Sequence, residues 1–153
     1  MKQVLTLIML AIAAGAAVAA DNYATVFKAQ GSYADVRDFI RMGIESEGLV
    51  INNTGHIADM LERTGKDVGA SKQVYTGGEQ FEFCSATLSR TMMEADPHAI
   101  ALCPFVISVY QLPNDKTVYV SYRKPAKTKN PELRKALGDI EKLQVKIIQG
   151  AIQ

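Results

Sequence analysis

Short strand-like segments alternate with amphipathic helical segments along most of this chain. Apolar and polar residues alternate in some of the short segments, and others are brief apolar runs, as expected for strands. Pro113 to Lys116 separates the last two of them and is rich in turn-forming residues, which predicts a β-hairpin. We expect a bulge or wide turn where Gly77 and Gly78 interrupt the third strand. The predicted strands are 23–29, 48–52, 74–84, 105–112 and 117–123.

Four segments between or after these strands have helical periodicity. A helix opens at Ser32, where Asp35 takes the capping-box position, and Pro97 ends the third helix. Asn130 caps the last helix, and Pro131 takes its first position. The other two helices are predicted at 56–65 and 85–96, and the last runs from 131 to about 150. The predicted inward-facing residues are Val36, Phe39, Ile40, Gly43 and Ile44, then Ile57, Met60 and Leu61, then Leu88, Met92 and Ala95, and finally Leu133, Leu137, Ile140, Leu143 and Ile147.

The order strand, helix, strand, short helix, strand, helix, hairpin, helix predicts an α+β fold. We expect a two-layer sandwich with a mainly antiparallel sheet and the helices on one face. The last helix would be roughly 30 Å long, whereas a strand of five or six residues spans about 17–20 Å. We therefore expect Ile148 and Ile152 to project beyond the sheet. A second copy of the chain would cover this apolar surface and form a homodimer.

The first twenty residues, "MKQVLTLIMLAIAAGAAVAA", are typical of a secretory signal peptide. One lysine precedes an apolar stretch, and small residues end it in an A-x-A site. A membrane anchor is the alternative, but Asp21 and Asn22 follow the small residues directly and do not stop transfer. We expect cleavage and a periplasmic or secreted protein. Residues 21–153 then suffice for one α+β domain and are too few for two.

The charge balance argues against two classes of partner. The chain has 17 basic and 16 acidic residues, so no strong net field attracts nucleic acid or, after signal cleavage, a membrane surface. The basic residues between Lys116 and Lys146 are spread along a hairpin and a helix, which is typical of a solvated face. Partners are therefore expected among small ligands and proteins.

The stretch "FEFCSATLSRTMMEADPHAIALCPFVISVY" (81–110), the following hairpin and the "GLVI…GHIADML" segment resemble the bacterial family called domain of unknown function 302. The resemblance covers about residues 24–127. Its motif positions here are Cys84, Asp96-Pro97, Pro104 and Tyr110. The resemblance implies a small α/β sandwich similar to TATA-binding-protein-like domains, and no established activity.

The two cysteines are the most reactive residue types in this motif. Cys84 lies where a strand turns into a helix, a setting that lowers a thiol pKa through the helix dipole. Burial as a small apolar residue is the alternative. The resemblance implies a second cysteine just after the proline. Here Phe105 follows Pro104, and Cys103 precedes it. A disulfide between Cys84 and Cys103, a reactive or ligating thiol and a core residue all stay open.

Soft metal ligands occur in the same region, but their spacing matches no known metal site. The candidate ligand-binding residues are His56, Met92 and His98, together with the two cysteines. Met92 at helical spacing from Leu88 also suits the core. A metal or haem is left open as cofactor, without a C-x-x-C-H motif for covalent haem.

Three functions fit these observations. The first is an exported, non-catalytic binding module for a metal, a haem or a small apolar molecule near the Cys84 junction. The second is a thiol-dependent redox or sulfur-handling protein that uses Cys84 and Cys103. The third is an oligomeric interaction subunit that docks through its last helix. An enzyme is not favoured, because no Ser-His-Asp group, carboxylate pair or phosphate loop is evident and no catalytic residue can be assigned.

Overall fold

The fold is α+β with an antiparallel sheet, as the order of elements predicts. The computed structural model describes residues 17–20 and 22–152. The strands lie in the order β1-β2-β6-β5-β4-β3, and every neighbouring pair is antiparallel. Their bounds are β1 Ala17–Ala20, β2 Ala24–Ala29, β3 Val50–His56, β4 Gly77–Cys84, β5 Phe105–Gln111 and β6 Val118–Arg123.

Four α-helices connect or follow the strands, and all four were predicted from sequence. The Ser32 side chain accepts a hydrogen bond from the Asp35 N–H at the start of the first helix. Asn130 caps the last helix by accepting from two backbone N–H groups, with Pro131 in the first turn. The bounds are α1 Tyr33–Ser46, α2 Ile57–Gly65, α3 Ala86–Ala95 and α4 Pro131–Ala151, with short 3₁₀ helices at Lys66–Val68 and Pro97–Leu102.

One face of the sheet, here called the inner face, carries the main core. Alternate residues of the strands point to it, among them Phe81, Ile107 and Val120, which are all fully buried. Helices α1 and α4 cover this face and approach each other closely at Gly43, where an added methyl group would lie 3.3 Å from Ile147. Helix α3 packs against α4. Burial of these apolar side chains is the main stabilising contribution to the fold.

Helix α2 lies on the opposite face, here called the outer face. Neighbouring residues of a strand point to opposite faces. A methyl group at Gly77 would lie 2.9 Å from the Tyr33 ring of α1, whereas one at Gly78 would lie 3.4 Å from Ala58 of α2. The prediction that all helices share one face is therefore wrong for α2. Met60, predicted to face inward, is 40% exposed on this helix.

The predicted bulge at Gly77 and Gly78 is also wrong. Both residues pair in regular register with β5, and the irregularity lies in β3 between Ile51 and Asn53. The two glycines are explained by packing, since one allows α1 to approach the sheet and the other allows α2 to approach it.

The predicted overhang of the last helix is wrong as well. Ile148 is fully buried, and Ile152 packs partly buried against the core. The end of α4 lies against α1, so α1 extends the surface that the sheet alone does not provide. Phe39 of α1, which was predicted to face inward, is 48% exposed.

Most of the predicted signal peptide lies outside the described residues. Its last four residues form β1, which pairs with β2 at the edge of the sheet. Signal cleavage stays a prediction. Within residues 17–20 and 22–152, no helix is long and apolar enough to cross a membrane.

Candidate functional site

A cleft of about 230 Å³ opens on the outer face of the sheet. Strands β2, β4, β5 and β6 form its floor, and the start of α2 and the segment before β4 form a wall. The fold leaves this space because α2 covers only one end of the outer face. The lining residues are Tyr23, Ala24, Val26, Ile57, Tyr75, Gly78, Glu79, Gln80, Ser108, Val109, Tyr110 and Ser121.

Three polar side chains form a row across the floor of the cleft. Gln80, Ser108 and Ser121 occupy paired positions on β4, β5 and β6, so all three point to the outer face. The Gln80 Nε2 donates a hydrogen bond to the Ser108 Oγ at 3.2 Å. An amide offers both donors and acceptors, and each hydroxyl offers both as well. The floor can therefore bind a ligand edge that carries mixed hydrogen-bonding groups.

Tyrosine rings from β5 and from the segment before β4 lie beside this row. The Tyr110 ring meets Tyr75 edge-on at 5.6 Å between centroids and stacks on Tyr119 at 5.4 Å. The Tyr119 hydroxyl donates to the Asp115 carboxylate, which holds its ring in place. Tyr23 is 69% exposed and lies among the lining residues. These tyrosines present aromatic surfaces that can pack against a planar ring.

The cleft has little formal charge. None of its described lining residues is a lysine, an arginine or a histidine. Its carboxylate residue, Glu79, points to the inner face, where its Oε1 lies 3.7 Å from an Arg37 nitrogen and 4.0 Å from the His56 Nδ1. Burial, with the neighbouring tyrosines, raises the pKa of Tyr110, so its phenol stays neutral. A neutral site of this kind does not compensate the desolvation of an anion.

A second cavity of about 130 Å³ lies between one end of the sheet and α4. Leu102, Pro104, Leu137 and Ile140 contribute apolar surface to it. Gln144 also lines it, and its Nε2 donates to the Val106 carbonyl. This cavity is smaller than the cleft and has fewer groups that could orient a ligand.

The two cysteines lie side by side. Cys84 ends β4 and Cys103 follows the second 3₁₀ helix, and their sulfurs are 2.7 Å apart. Burial and the contact with Cys103 raise the pKa of Cys84 to about 11. The lowering of the pKa that the position at a helix start predicts is not found, and desolvation of the half-buried sulfur is the main cause of the raised pKa.

The other three candidate ligand residues lie in different parts of the fold. His56 lies opposite Glu79, five residues along β4 from Cys84, which is about 17 Å in a strand. Met92 is fully buried in the core, and His98 is exposed on the second 3₁₀ helix. No group of three or more histidine, cysteine or acidic residues within the described part of the chain could hold a metal ion.

The profile of the family described as "Domain of unknown function DUF302" matches residues 25–151. The chain belongs to the DUF302 family. Its fold is similar to the crystal structure of an uncharacterized conserved DUF302 protein from Bacillus stearothermophilus, with a TM-score of 0.71 and 14% sequence identity over 84% of this chain and 97% of the other. No curated protein matches the sequence.

The cleft of this DUF302 protein was not predicted from sequence. The prediction placed a ligand near Cys84, but the cleft lies toward the other end of β4, at Gly78 to Gln80. One signal was available, because Ser108 and Ser121 are small polar residues in the middle of mainly apolar and aromatic strands of one hairpin. Gln80 gave no such signal, since its register with Ser108 joins strands that are distant in sequence.

Proposed function

We propose that this DUF302 protein is an exported, non-catalytic binding protein for a small neutral molecule with a planar ring. The observation that carries the proposal is the outer-face cleft, in which a row of amide and hydroxyl groups lies beside tyrosine rings. Rings would pack against Tyr75 and Tyr110, while Gln80, Ser108 and Ser121 would orient the polar edge of the ligand.

The size of the cleft limits the ligand. A cavity of about 150 Å³ accepts a benzene ring. The volume of about 230 Å³ therefore leaves room for one ring with short substituents. Haem is far larger than this, so the cleft could enclose only part of it.

Charge selection provides a direct experiment. Benzamide and benzoate have nearly the same shape, but only benzoate is an anion at neutral pH. We expect benzamide to bind in calorimetry or ligand-observed NMR with a Kd of about 1 mM, and benzoate to bind at least roughly tenfold more weakly. Equal binding of both probes would contradict a neutral site, and binding of neither would contradict a ring-binding cleft.

Two variants test whether benzamide binds in the cleft. Gln80→Leu should weaken benzamide binding about tenfold, because one hydrogen-bonding partner is lost. Gln149→Leu is a matched control, since Gln149 is exposed on α4. Equal loss in both variants, or in neither, would show that the probe binds elsewhere.

Export is tested separately from binding. The sequence of residues 1–20 supports signal cleavage, and mass spectrometry of the exported protein should find an N-terminus at Ala20 or Asp21. A chain that keeps Met1 and remains in the membrane fraction would contradict export without affecting the cleft.

The other two hypotheses receive less support. A redox catalyst depends on a thiolate near neutral pH, whereas the pKa of Cys84 is raised to about 11. Docking of a partner through the end of α4 was inferred from an apolar overhang, and Ile148 of that overhang is fully buried within the chain.

A further inference from the structure

The chain around the two cysteines forms a nearly closed loop. It leaves the sheet at Cys84, runs through α3 and the second 3₁₀ helix, and returns at Cys103 just before β5. The two sulfurs meet at 2.7 Å although 19 positions separate them in sequence. The fold therefore brings the only two cysteines of the chain together before any covalent bond is formed.

The surroundings of the pair favour a structural bond over a reactive one. Both residues are half-buried, and Cys103 packs against the apolar core. The Ser89 Oγ lies 3.8 Å from the Cys103 sulfur, and the Phe105 backbone N–H bonds to the Cys84 sulfur. These contacts hold both sulfurs where they are.

We propose that Cys84 and Cys103 are joined by a structural disulfide in the exported protein. The bond does not depend on what the outer-face cleft binds. It forms by exchange with a disulfide of an oxidising compartment, such as that of an oxidoreductase. One cysteine thiolate attacks that disulfide and expels a thiolate, and the second cysteine then displaces the oxidant. The two cysteine protons go to solvent, two protons from solvent return to the oxidant's sulfurs, and the oxidant leaves as a dithiol with the two electrons.

The segment enclosed by this bond contributes Met92 and Ala99 to the core, and its other core-facing side chains are only partly buried. Met92 is the one fully buried residue of α3. A hydrogen bond from the Asn130 Nδ2 to the Ala95 carbonyl joins the end of α3 to the start of α4. A disulfide that closes a loop of this length restricts the unfolded chain and stabilises the native state. It would therefore suppress local opening of α3.

The native bond should also resist reduction. An attacking thiol that reaches the Cys103 sulfur must expel the Cys84 thiolate. Thiols with a high pKa are poor leaving groups, and burial raises the pKa of Cys84. Attack at the Cys103 sulfur should thus be slow while the protein is folded.

The experiment traps thiols in cells before lysis. The full chain with residues 1–20 is expressed for export, quenched with acid, alkylated under denaturing conditions and weighed by mass spectrometry. We expect no alkylated cysteine in the mature protein and two after reduction. Two alkylated cysteines in the quenched sample, or a disulfide-linked dimer, would overturn the proposal. One rapidly alkylated thiol in the native protein would also overturn it and would favour thiol chemistry.

Hydrogen exchange tests the effect on α3. The double variant Cys84→Ala/Cys103→Ala should melt roughly 10 °C lower than the oxidised wild type. Its backbone amides in residues 86–102 should exchange faster, while those in α4 remain protected until global unfolding. Wild type that melts at the same temperature when oxidised and after full reduction would contradict a stabilising bond. The double variant, which has no cysteine, should not respond to reductant.

Discussion

The two faces of the sheet differ in chemistry although the same strands form both. On the inner face, β4 contributes Phe81 and Phe83, which are fully buried beneath the helices. On the outer face the same strand contributes Gln80 and Glu82, which are only partly buried. The inner face supplies most of the apolar burial that stabilises the fold. The outer face is less constrained by packing and can carry a binding site.

Truncating one aromatic side chain on each face should give the largest difference in the free energy of unfolding between the two faces. Phe81→Ala removes a fully buried ring and should lower the free energy of unfolding by about 3–5 kcal/mol. Tyr110→Ala on the outer face truncates a ring that is only partly buried, so it should cost less, even with the loss of two tyrosine contacts worth about 0.5–1.5 kcal/mol each beyond the lost burial. Chemical denaturation measures both values. Equal losses would mean that the outer face is as much a part of the core as the inner face.

The inner face was largely predictable from sequence for a physical reason. Alternation in β6 places Val118, Val120 and Tyr122 on one side, and all three are buried. Residues at helical spacing in α4, such as Leu137 and Ile140, are buried as predicted. Local periodicity reports which side of an element is apolar, because the side chains repeat with the period of the backbone.

Adjacent glycines allow a second comparison of the two faces with the same substitution. Gly77→Ala would place its methyl group 2.9 Å from the Tyr33 ring, which packing against the sheet prevents from moving freely. We expect a loss of about 1–3 kcal/mol from overpacking. Gly78→Ala would place its methyl group 3.4 Å from the Ala58 Cβ, near ordinary contact distance. Its cost in thermal or denaturant unfolding should be clearly smaller.

The reverse order of these two losses would contradict the assignment of α1 and α2 to opposite faces. Neither assignment was predictable from sequence. A glycine pair in a strand is consistent with a bulge, a turn or a close approach of another element. The folded structure shows a close approach at both glycines, because Gly77 lies under Tyr33 of α1 and Gly78 lies next to Ala58 of α2. Each contact joins a strand to a helix that local sequence patterns do not place beside it.

The hydrogen bond within the polar row of the outer face should contribute less to stability than these packing contacts, and its two partners should be energetically coupled. Gln80→Leu and Ser108→Ala each remove one partner of the same hydrogen bond. A double-mutant cycle should give a coupling energy of about 0.5–1.5 kcal/mol. Gln80→Leu combined with Ser121→Ala should couple less, since no direct hydrogen bond between these two side chains is seen among the described residues. Equal coupling in both cycles would indicate a general rearrangement of the face.

The site was harder to predict than the core because it depends on register between distant strands. The hairpin places Ser108 beside Ser121, and this pairing follows from a local turn. Gln80 joins them only through the pairing of β4 with β5. The cysteine pair has the same origin, since 19 positions separate two sulfurs that the fold brings together. The spacing in sequence allowed a contact between the two cysteines but did not require one.

Substitution of Tyr33 on the inner face should change the free energy of unfolding least at neutral pH, and its effect should depend most strongly on pH. Its hydroxyl is buried and has no hydrogen-bond partner within the described part of the chain. Burial and the neighbouring Glu79 carboxylate raise the pKa of Tyr33. The neutral phenol is therefore favoured in the folded state, and this contribution to stability is lost as the pH rises above about 10, where an unfolded tyrosine ionises.

Tyr33→Phe keeps the ring that packs over Gly77 and removes the unpaired hydroxyl. We expect a gain of roughly 0.5–1 kcal/mol at neutral pH, since a buried unpaired polar group is removed. Above about pH 10, the free energy of unfolding should fall less steeply than in the wild type. Some decline should remain, because the pKa values of Tyr110 and Tyr122 are raised too. Tyr23→Phe is the matched control, as Tyr23 is largely exposed. An unchanged alkaline slope in Tyr33→Phe would show that ionisation of this phenol does not oppose folding, and that the close packing of α1 on the inner face leaves the hydroxyl accessible to water.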